Sequence, residues 1–378
     1  MKKIWLSPPH IGENEKFYIE EAIASNWVAP LGSNVDHFEE QIRSFLSVNS
    51  VIALNTGTAA IHLALQTLGI KEGDHVLCQS FTFAATAFPI LYCNATPVFI
   101  DSEKDTWNMD PVLLEKAIKD CISFDKKPAA ILVVHLYGVP AKMNEIISIS
   151  ERYGIPIIED AAEALGSKYQ NKACGGLGKI GILSFNGNKI ITTSGGGALI
   201  CHDKEIEKKV RFLSAQAQES AAYYLHKETG YNYRLSNILA GIGRGQMEVL
   251  PQRIIRRREI YNSYRNSFLK TEGIYFPPEP AGTFCNRWLT TIILDPMLYG
   301  KDAPEALRAH LEKCNIESRR LWKPLHQQPV FNKYSSYNNG IADDFFANGL
   351  CLPSGSGLTN EQLEQIVKEI RHCLHGVN

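Results

Sequence analysis

From about position 75 onward, short apolar runs alternate with longer amphipathic ones. Runs rich in Val, Ile and Leu cover 75–79, 96–101, 129–135, 155–160, 181–185 and 197–201. Each has strand length and is bounded by polar, Gly or Pro positions. Between them, apolar residues at helical spacing predict helices, for example over 111–120 and 143–153. Apolar strands spaced by amphipathic helices imply a mainly parallel sheet covered on both faces. Such sheets bind ligands beyond the carboxyl ends of their strands. The residues that finish these runs are therefore the first candidates for a site.

Upstream, residues 1–34 read as an irregular arm with one helix over 13–25. A Pro/Gly-punctuated apolar loop follows, Asn26-Trp27-Val28-Ala29-Pro30-Leu31-Gly32. It is either a plain turn with one packed Trp or a cover over something. Asn55-Thr56-Gly57-Thr58 leads into a helix over 59–69 with a glycine stop. Downstream, a long charged helix is expected around 245–264. Pro277, Pro278 and Pro280, an alternating run over 286–294 and helices over 304–315 and 359–374 then suggest a smaller α+β unit. The expected division is a large domain with its N-terminal arm, 1–250, and a small domain, 251–378.

Composition narrows the function classes. Of 378 residues 44% are apolar, enough for a packed core, and the formal net charge is −1. No basic excess points to nucleic acid. Arg253, Arg256, Arg257 and Arg258 lie beside Glu259 on a helix-like stretch and read as a solvated face. The nine cysteines are scattered and form no C-x-x-C pair. Reduced thiols are expected, with neither a disulfide frame nor a zinc site. No run approaches the ~20 apolar residues of a membrane span. The first residues carry no leader-like apolar core, so a soluble, cytoplasmic protein is expected.

Several strand-end segments carry candidate chemistry. Lys189 ends Ser184-Phe185-Asn186-Gly187-Asn188-Lys189, just ahead of Gly195-Gly196-Gly197. A lysine whose amine is desolvated can act as a nucleophile towards an aldehyde. Thr56-Gly57-Thr58 opens a helix, so it is either a threonine cap or an anion site. Glu159-Asp160 ends a strand, and only one of the two can face a given ligand. That carboxylate either caps a helix or holds a ring nitrogen protonated. Phe83, in Ser80-Phe81-Thr82-Phe83-Ala84-Ala85-Thr86, either packs in the core or stacks on a flat ring. Gly176-Leu177-Gly178-Lys179-Ile180-Gly181 matches G-x-G-x-x-G, but a strand-like run follows it, so it reads as a turn. Together, the anion cradle, aromatic, carboxylate and lysine are the tools that pyridoxal phosphate (PLP) requires.

The segments NTGTAAIHLAL, IEDAAEALG, SFNGNKIITTSGGG, GYNYRLSN and RLWKPLH resemble, in that order, the DegT/DnrJ/EryC1/StrS sugar aminotransferases. These are PLP enzymes of fold type I, the aspartate aminotransferase-like α/β fold. SPPH, SNWVAPLG and LCLPSGSG are similar to members acting on C4 of UDP-2-acetamido-2,6-dideoxy-hexos-4-ulose, in the UDP-N-acetylbacillosamine pathway and in exopolysaccharide synthesis. The resemblance implies that Lys189 binds the cofactor aldehyde, Asp160 the pyridine nitrogen and Phe83 the ring face. Gly57, Thr58 and Ser184 match phosphate contacts, and Asn186 belongs to the same cofactor-binding turn as Lys189. Asn232 matches a residue that reaches the phosphate of the neighbouring subunit, implying a homodimer. Glu163 takes a cofactor-proximal place that many relatives fill with His or Gln.

The loop Asn26, Trp27, Val28 and Ala29 and the stretch Trp322, Lys323, Pro324, Leu325 and His326 match segments that meet the nucleotide-sugar. Arg234, Lys323 and His326 are the candidate cations for its diphosphate. L-glutamate is the implied donor, leaving as 2-oxoglutarate, with pyridoxamine phosphate between the half-reactions and a 4-amino sugar for surface glycans as the product. Relatives with His in place of the lysine are dehydratases, which Lys189 argues against. A dTDP- or GDP-linked sugar, a 3-keto sugar, or a non-catalytic sensor on the same fold are the competing readings.

Overall fold

The structure is a computed structural model that describes residues 3–375. Eight strands form its main sheet: β1 (Ser50–Leu54), β2 (His75–Gln79), β3 (Thr96–Ile100), β4 (Ala130–Val134), β5 (Ile157–Asp160), β6 (Ile180–Ser184), β7 (Gly197–Cys201) and a short strand at Ser336–Tyr337. Their order is β1-β7-β6-β5-β4-β2-β3, with Ser336–Tyr337 on the outer edge of β3. Only β7 is antiparallel to its neighbours, β1 and β6. The remaining pairings are parallel. The chain therefore leaves β1, β2, β3, β4, β5 and β6 at the same edge of the sheet, and enters β7 there. The expected mainly parallel, mixed α/β sheet is present.

Alternation along the strands decides what lies on each face. In β4, Ile131 and Val133 pack with Leu114, Ile118, Met143 and Ile146, from α4 (Pro111–Ser123) and α5 (Met143–Tyr153). Leu132, between them, packs with Ile61, Leu65 and Val210, from α3 (Gly57–Thr67) and α6 (Lys204–Ser214). Strands buried on both faces need such two-sided cover, which is why their sequences are apolar throughout.

Before this α/β core come α1 (Glu15–Ala24) and α2 (Ser33–Leu46). Val35, Phe38, Ile42 and Leu46 form one apolar stripe of α2 and are buried against α7 (Asn237–Phe268) and the sheet. Pattern reading passed over both α2 and β1, although this stripe was present in the sequence. It also began the long helix at 245, eight residues late. The reason is Gly241, Gly243 and Gly245, which lower helix propensity. Their smallness has a packing cause. A Cβ at Gly243 would lie 2.7 Å from the Phe38 ring, and one at Gly245 2.7 Å from the Glu15 backbone nitrogen.

α7 is 32 residues long and passes through Leu250 and Pro251 without interruption. Beyond it lies a four-stranded antiparallel sheet. Ile292, Leu350 and Leu352 of that sheet pack with α7 residues Ile260, Tyr264 and Phe268. They also meet Leu307 and Leu311 of α8 (Ala303–Lys313) and Ile366 and Ile370 of α9 (Asn360–His375).

The arginine run on α7 is not the solvated face that the sequence suggested. α7 lies between the N-terminal arm and the smaller unit, so most of its circumference is covered. Arg257 is 1% exposed and donates to the Trp288 carbonyl and to Ser7 Oγ. Burial lowers its pKa to about 9. Arg253 reaches His10 Nδ1 at 2.7 Å, Arg256 the Leu358 carbonyl at 2.6 Å and Arg258 Glu279 at 2.6 Å.

The glycine-rich turn before β6 also has a structural task. Backbone N–H groups of Gly175, Leu177 and Gly178 donate to the buried Glu159 carboxylate, which also meets His135 Nε2 at 2.8 Å. Glu159 and Asp160 thus serve opposite faces of β5, Glu159 in the interior and Asp160 towards the site.

Candidate active site

Most chemical groups of the site are delivered by the one sheet edge where β1 to β6 end and β7 begins. Asp160 closes β5 and is 5% exposed. Its Oδ2 accepts a hydrogen bond from Thr86 Oγ1 at 2.8 Å, and its Oδ1 one from the Ala162 N–H at 3.1 Å. No helix follows Asp160 directly, so it is not a helix cap.

Lys189 lies in the turn after β6, whose backbone closes through Lys189 N–H to the Asn186 carbonyl at 3.0 Å. The side chain is only 12% exposed. Its Nζ lies 3.6 Å from Glu163 Oε1 and 4.2 Å from the centroid of the Trp288 ring. Glu163 Oε2 accepts the Tyr137 N–H at 2.7 Å. Burial raises the Glu163 pKa, against the opposing pull of the Lys189 charge.

Trp288 is fixed from below. Its Nε1 donates to the Asn188 carbonyl at 2.8 Å, and Ser7 Oγ donates to the same carbonyl at 2.8 Å. Arg257 holds both Ser7 and Trp288. The buried arginine, the N-terminal arm and the tryptophan therefore position the turn that carries Lys189.

At the other end of the cavity α3 begins. Thr56 Oγ1 caps it by accepting the Ala59 N–H at 2.9 Å. Gly57 and Thr58, its first two residues, have N–H groups without intrahelical acceptors. A Cβ at Gly57 would meet Ser184 Cβ at 3.1 Å, and one at Gly197 would lie 2.4 Å from Gly57 N. Only glycines let these three backbones converge. The cap reading is met by Thr56, and the free N–H groups of the next two residues leave room for the anion-site reading beside it.

The cavity encloses about 300 Å³ and is lined by Gly57, Thr58, Phe83, Asp160, Glu163, Ser184, Asn186, Lys189 and Trp322 among the expected residues. Phe83 is 52% exposed, so it is not core, and its ring lies 5.2 Å from that of Trp322. A second lobe of about 570 Å³ adjoins it and shares Phe83, Asn188, Trp288 and Trp322 with it. Trp5, Pro8, Glu317 and Arg319 complete that lobe.

Other expected residues lie elsewhere in the chain. Asn232 is exposed, and its carbonyl accepts from Asn55 Nδ2 at 3.3 Å. Arg234 bridges to Leu54 through its backbone. Trp27 and Val28 are 48% and 62% exposed; the carbonyls of Trp27 and Ala29 are held by Asn237, at the start of α7. Asn26 adopts a left-handed conformation at the head of this loop. Pro324 and Leu325 are buried, and Leu325 belongs to the core beside Phe331. His326 is held between Ser80 Oγ at 2.7 Å and Asp343 Oδ1 at 3.0 Å. Lys323 is exposed.

Sequence reasoning missed Trp288, Thr86 and Asn188. Thr86 sat inside a segment already singled out. Trp288 lies about a hundred positions from the lysine it faces, and nothing in its local sequence marks it.

These groups fit PLP. The start of α3 with Ser184 suits a phosphate, buried Asp160 suits a ring nitrogen, Phe83 a ring face, and the Lys189 amine an aldehyde. The comparisons with known proteins agree. The model of the DegT/DnrJ/EryC1/StrS aminotransferase family matches residues 9–371. EpsN of Bacillus subtilis (strain 168), named as a candidate pyridoxal phosphate-dependent aminotransferase, is 51% identical over all of this chain and 97% of its own. The GDP-perosamine synthase of Escherichia coli O157:H7 is 35% identical over 98% of each chain. The PLP form of Spr1654 from Streptococcus pneumoniae, named as a candidate sugar aminotransferase, superimposes with a TM-score of 0.92 at 25% identity, covering 100% of both chains. The chain belongs to the DegT/DnrJ/EryC1/StrS family and is a PLP-dependent sugar aminotransferase of fold type I.

Proposed function

We propose that the enzyme moves an amino group from L-glutamate to C4 of UDP-2-acetamido-2,6-dideoxy-hexos-4-ulose, giving a UDP-linked 4-amino-4,6-dideoxy sugar. The observation that carries this reading is the second lobe opening beside Lys189. It offers aromatic surfaces, Trp5 and Trp322, for a flat base or a sugar face. It also offers a guanidinium, Arg319, which pairs with Glu317 at 2.8 Å, is 67% exposed in its side chain and could exchange that partner for a diphosphate. Exposed Lys323 is the nearest further candidate in sequence, whereas His326 is committed to Ser80 and Asp343. The segments SPPH, SNWVAPLG and LCLPSGSG support a UDP-linked sugar. A GDP-linked 4-keto sugar is the second reading, favoured by the perosamine synthase relative.

Bound PLP supplies an aldehyde that takes up the amino group and a pyridine ring that accepts the electron pair left at the donor's Cα. Asp160 keeps a proton on the ring nitrogen, because an uncompensated charge is costly in a buried site. The Lys189 amine, once free, would take the proton from the donor's Cα as a general base and deliver it as a general acid to the carbon that was the aldehyde's. The Glu163 carboxylate lies 3.6 Å from that amine and stabilises it when protonated. Trp288 walls the lysine from below and excludes water.

The active unit is proposed to be a homodimer. Asn232 is exposed and absent from the lining of its own chain's cavity, and Tyr223 and Tyr224, on the same excursion, are 67% and 84% exposed. Asn232 and the loop 26–29 are assigned to the neighbouring subunit's site.

Incubating the enzyme with the UDP-4-keto sugar and L-glutamate, followed by NMR of the product, tests the substrate. A UDP-4-amino sugar and 2-oxoglutarate are expected; turnover confined to a GDP-linked 4-keto sugar would move the assignment to the second reading. Mixing inactive Lys189→Ala with inactive Asn232→Ala chains should restore activity that neither has alone. Failure of exchanged subunits to recover any activity would contradict a shared site. Glu163→Gln removes a negative charge beside the lysine nitrogen. The visible band of the PLP-loaded variant should therefore switch between its protonated and deprotonated forms at lower pH than in the parent. An unchanged transition would show that Glu163 carries no charge there.

A further inference from the structure

Far from the PLP cavity in sequence, α8 and α9 bring another set of reactive groups together. His310 and Cys314 are four residues apart on α8 and so share one face. Glu369 of α9 packs against that face. His310 Nε2 is 2.9 Å from Glu369 Oε2, Cys314 Sγ is 3.3 Å from the same oxygen, and Sγ is 3.8 Å from Nε2. All three donor atoms lie within 4.8 Å of one another, and the three residues are half-buried. Among the described residues this is the one such group of three or more metal-ligating side chains. His372, also on α9, has its ring centroid 5.7 Å from that of His310.

We propose that His310, Cys314 and Glu369 form a binding site for Zn²⁺ that clips α8 to α9, with the fourth coordination position open to His372.

One nitrogen, one thiolate sulfur and one carboxylate oxygen are donors that Zn²⁺ takes in combination, whereas Ca²⁺ and Mg²⁺ select all-oxygen shells. Tetrahedral bonds of about 2.0–2.3 Å place donor atoms roughly 3.3–3.8 Å apart. The sulfur–oxygen and sulfur–nitrogen separations already lie in that range. Only the nitrogen–oxygen pair must open, by roughly half an ångström, and Glu369 can yield because its side chain is 23% exposed.

Without metal, the Glu369 carboxylate accepts from the thiol and from the imidazole, which holds its pKa low. Burial, together with the hydrogen bond to Glu369, raises the pKa of the Cys314 thiol. On binding, the thiol proton leaves to solvent and the Nε2 proton moves to Nδ1. The sulfur, nitrogen and oxygen lone pairs then form bonds to the metal. One thiolate and one carboxylate neutralise the divalent charge, and one proton is released per metal. Affinity therefore rises with pH while the thiol still holds its proton.

The site couples to the fold because Cys314 and Cys373 pack against the apolar core shared by α8 and α9. A cation there joins α9 to α8 within the smaller unit through bonds that the unfolded chain lacks, so the melting temperature follows metal concentration.

The test uses the full chain loaded with PLP, so that the active-site lysine is covered. Zn²⁺ titrated in competition with a chromophoric chelator should bind one per chain and raise the melting temperature. Co²⁺ in its place should produce a thiolate-to-metal charge-transfer band. Cys314→Ser should remove that band and lower Zn²⁺ affinity by about tenfold or more, while leaving transamination unchanged, and Cys373→Ser should change neither. No one-to-one binding and no charge-transfer band in the parent protein would overturn the site. So would a band that survives in Cys314→Ser, or one that disappears only in Cys373→Ser.

Discussion

The site depends on one electrostatic arrangement: a single amine, on Lys189, beside the Glu163 carboxylate and in the same cavity as Asp160. The lysine is 12% exposed, and Asp160 and Glu163 are each 5% exposed. Buried charges are tolerated only when paired and hydrogen-bonded, and breaking one buried pair costs about 3–5 kcal/mol. Here each carboxylate has its own support. Asp160 is held by Thr86 and Ala162, and Glu163 by the Tyr137 N–H and the lysine. Asp160 is fixed by two donors from the protein itself. Glu163, whose proton affinity is raised by burial, is tied to the lysine.

The fold supplies this arrangement by simple topology. Six strands of one direction leave the sheet at one edge, and β7 enters there, so side chains far apart in sequence converge without any long-range search by loops. Fixing the lysine turn needs more than the sheet. Arg257, buried inside α7, secures Ser7 of the arm and the Trp288 carbonyl, and both converge on Asn188. The small unit thus reaches the reaction centre through a hydrogen-bond bracket, and α7 is the shaft that carries it.

Much of this was legible in the sequence. The strand ends pointed to Lys189, Asp160 and the start of α3 because apolar runs and their polar terminators are local features. The decoy glycine motif was correctly read as a turn, since a strand follows it. What was not legible was pairing over distance. Arg257 read as solvated because its surroundings come from the arm and from residue 288. Trp288, the wall beneath the lysine, carries no local mark. Gly241, Gly243 and Gly245 concealed eight residues of α7, being suited to close approach to Tyr18, Phe38 and Glu15 rather than to helix propensity. The His310, Cys314 and Glu369 cluster escaped for the same reason, since two of its members are one helical turn apart and the third lies on another helix.

The most direct measurement of the central claim is borohydride reduction of the PLP-loaded enzyme, followed by digestion and mass mapping of the labelled peptide. The account predicts one pyridoxyl group per chain, attached at Lys189, and none on a chain in which Lys189 is replaced by Ala. A label mapped to any other lysine, or retained at full stoichiometry in that variant, would contradict it.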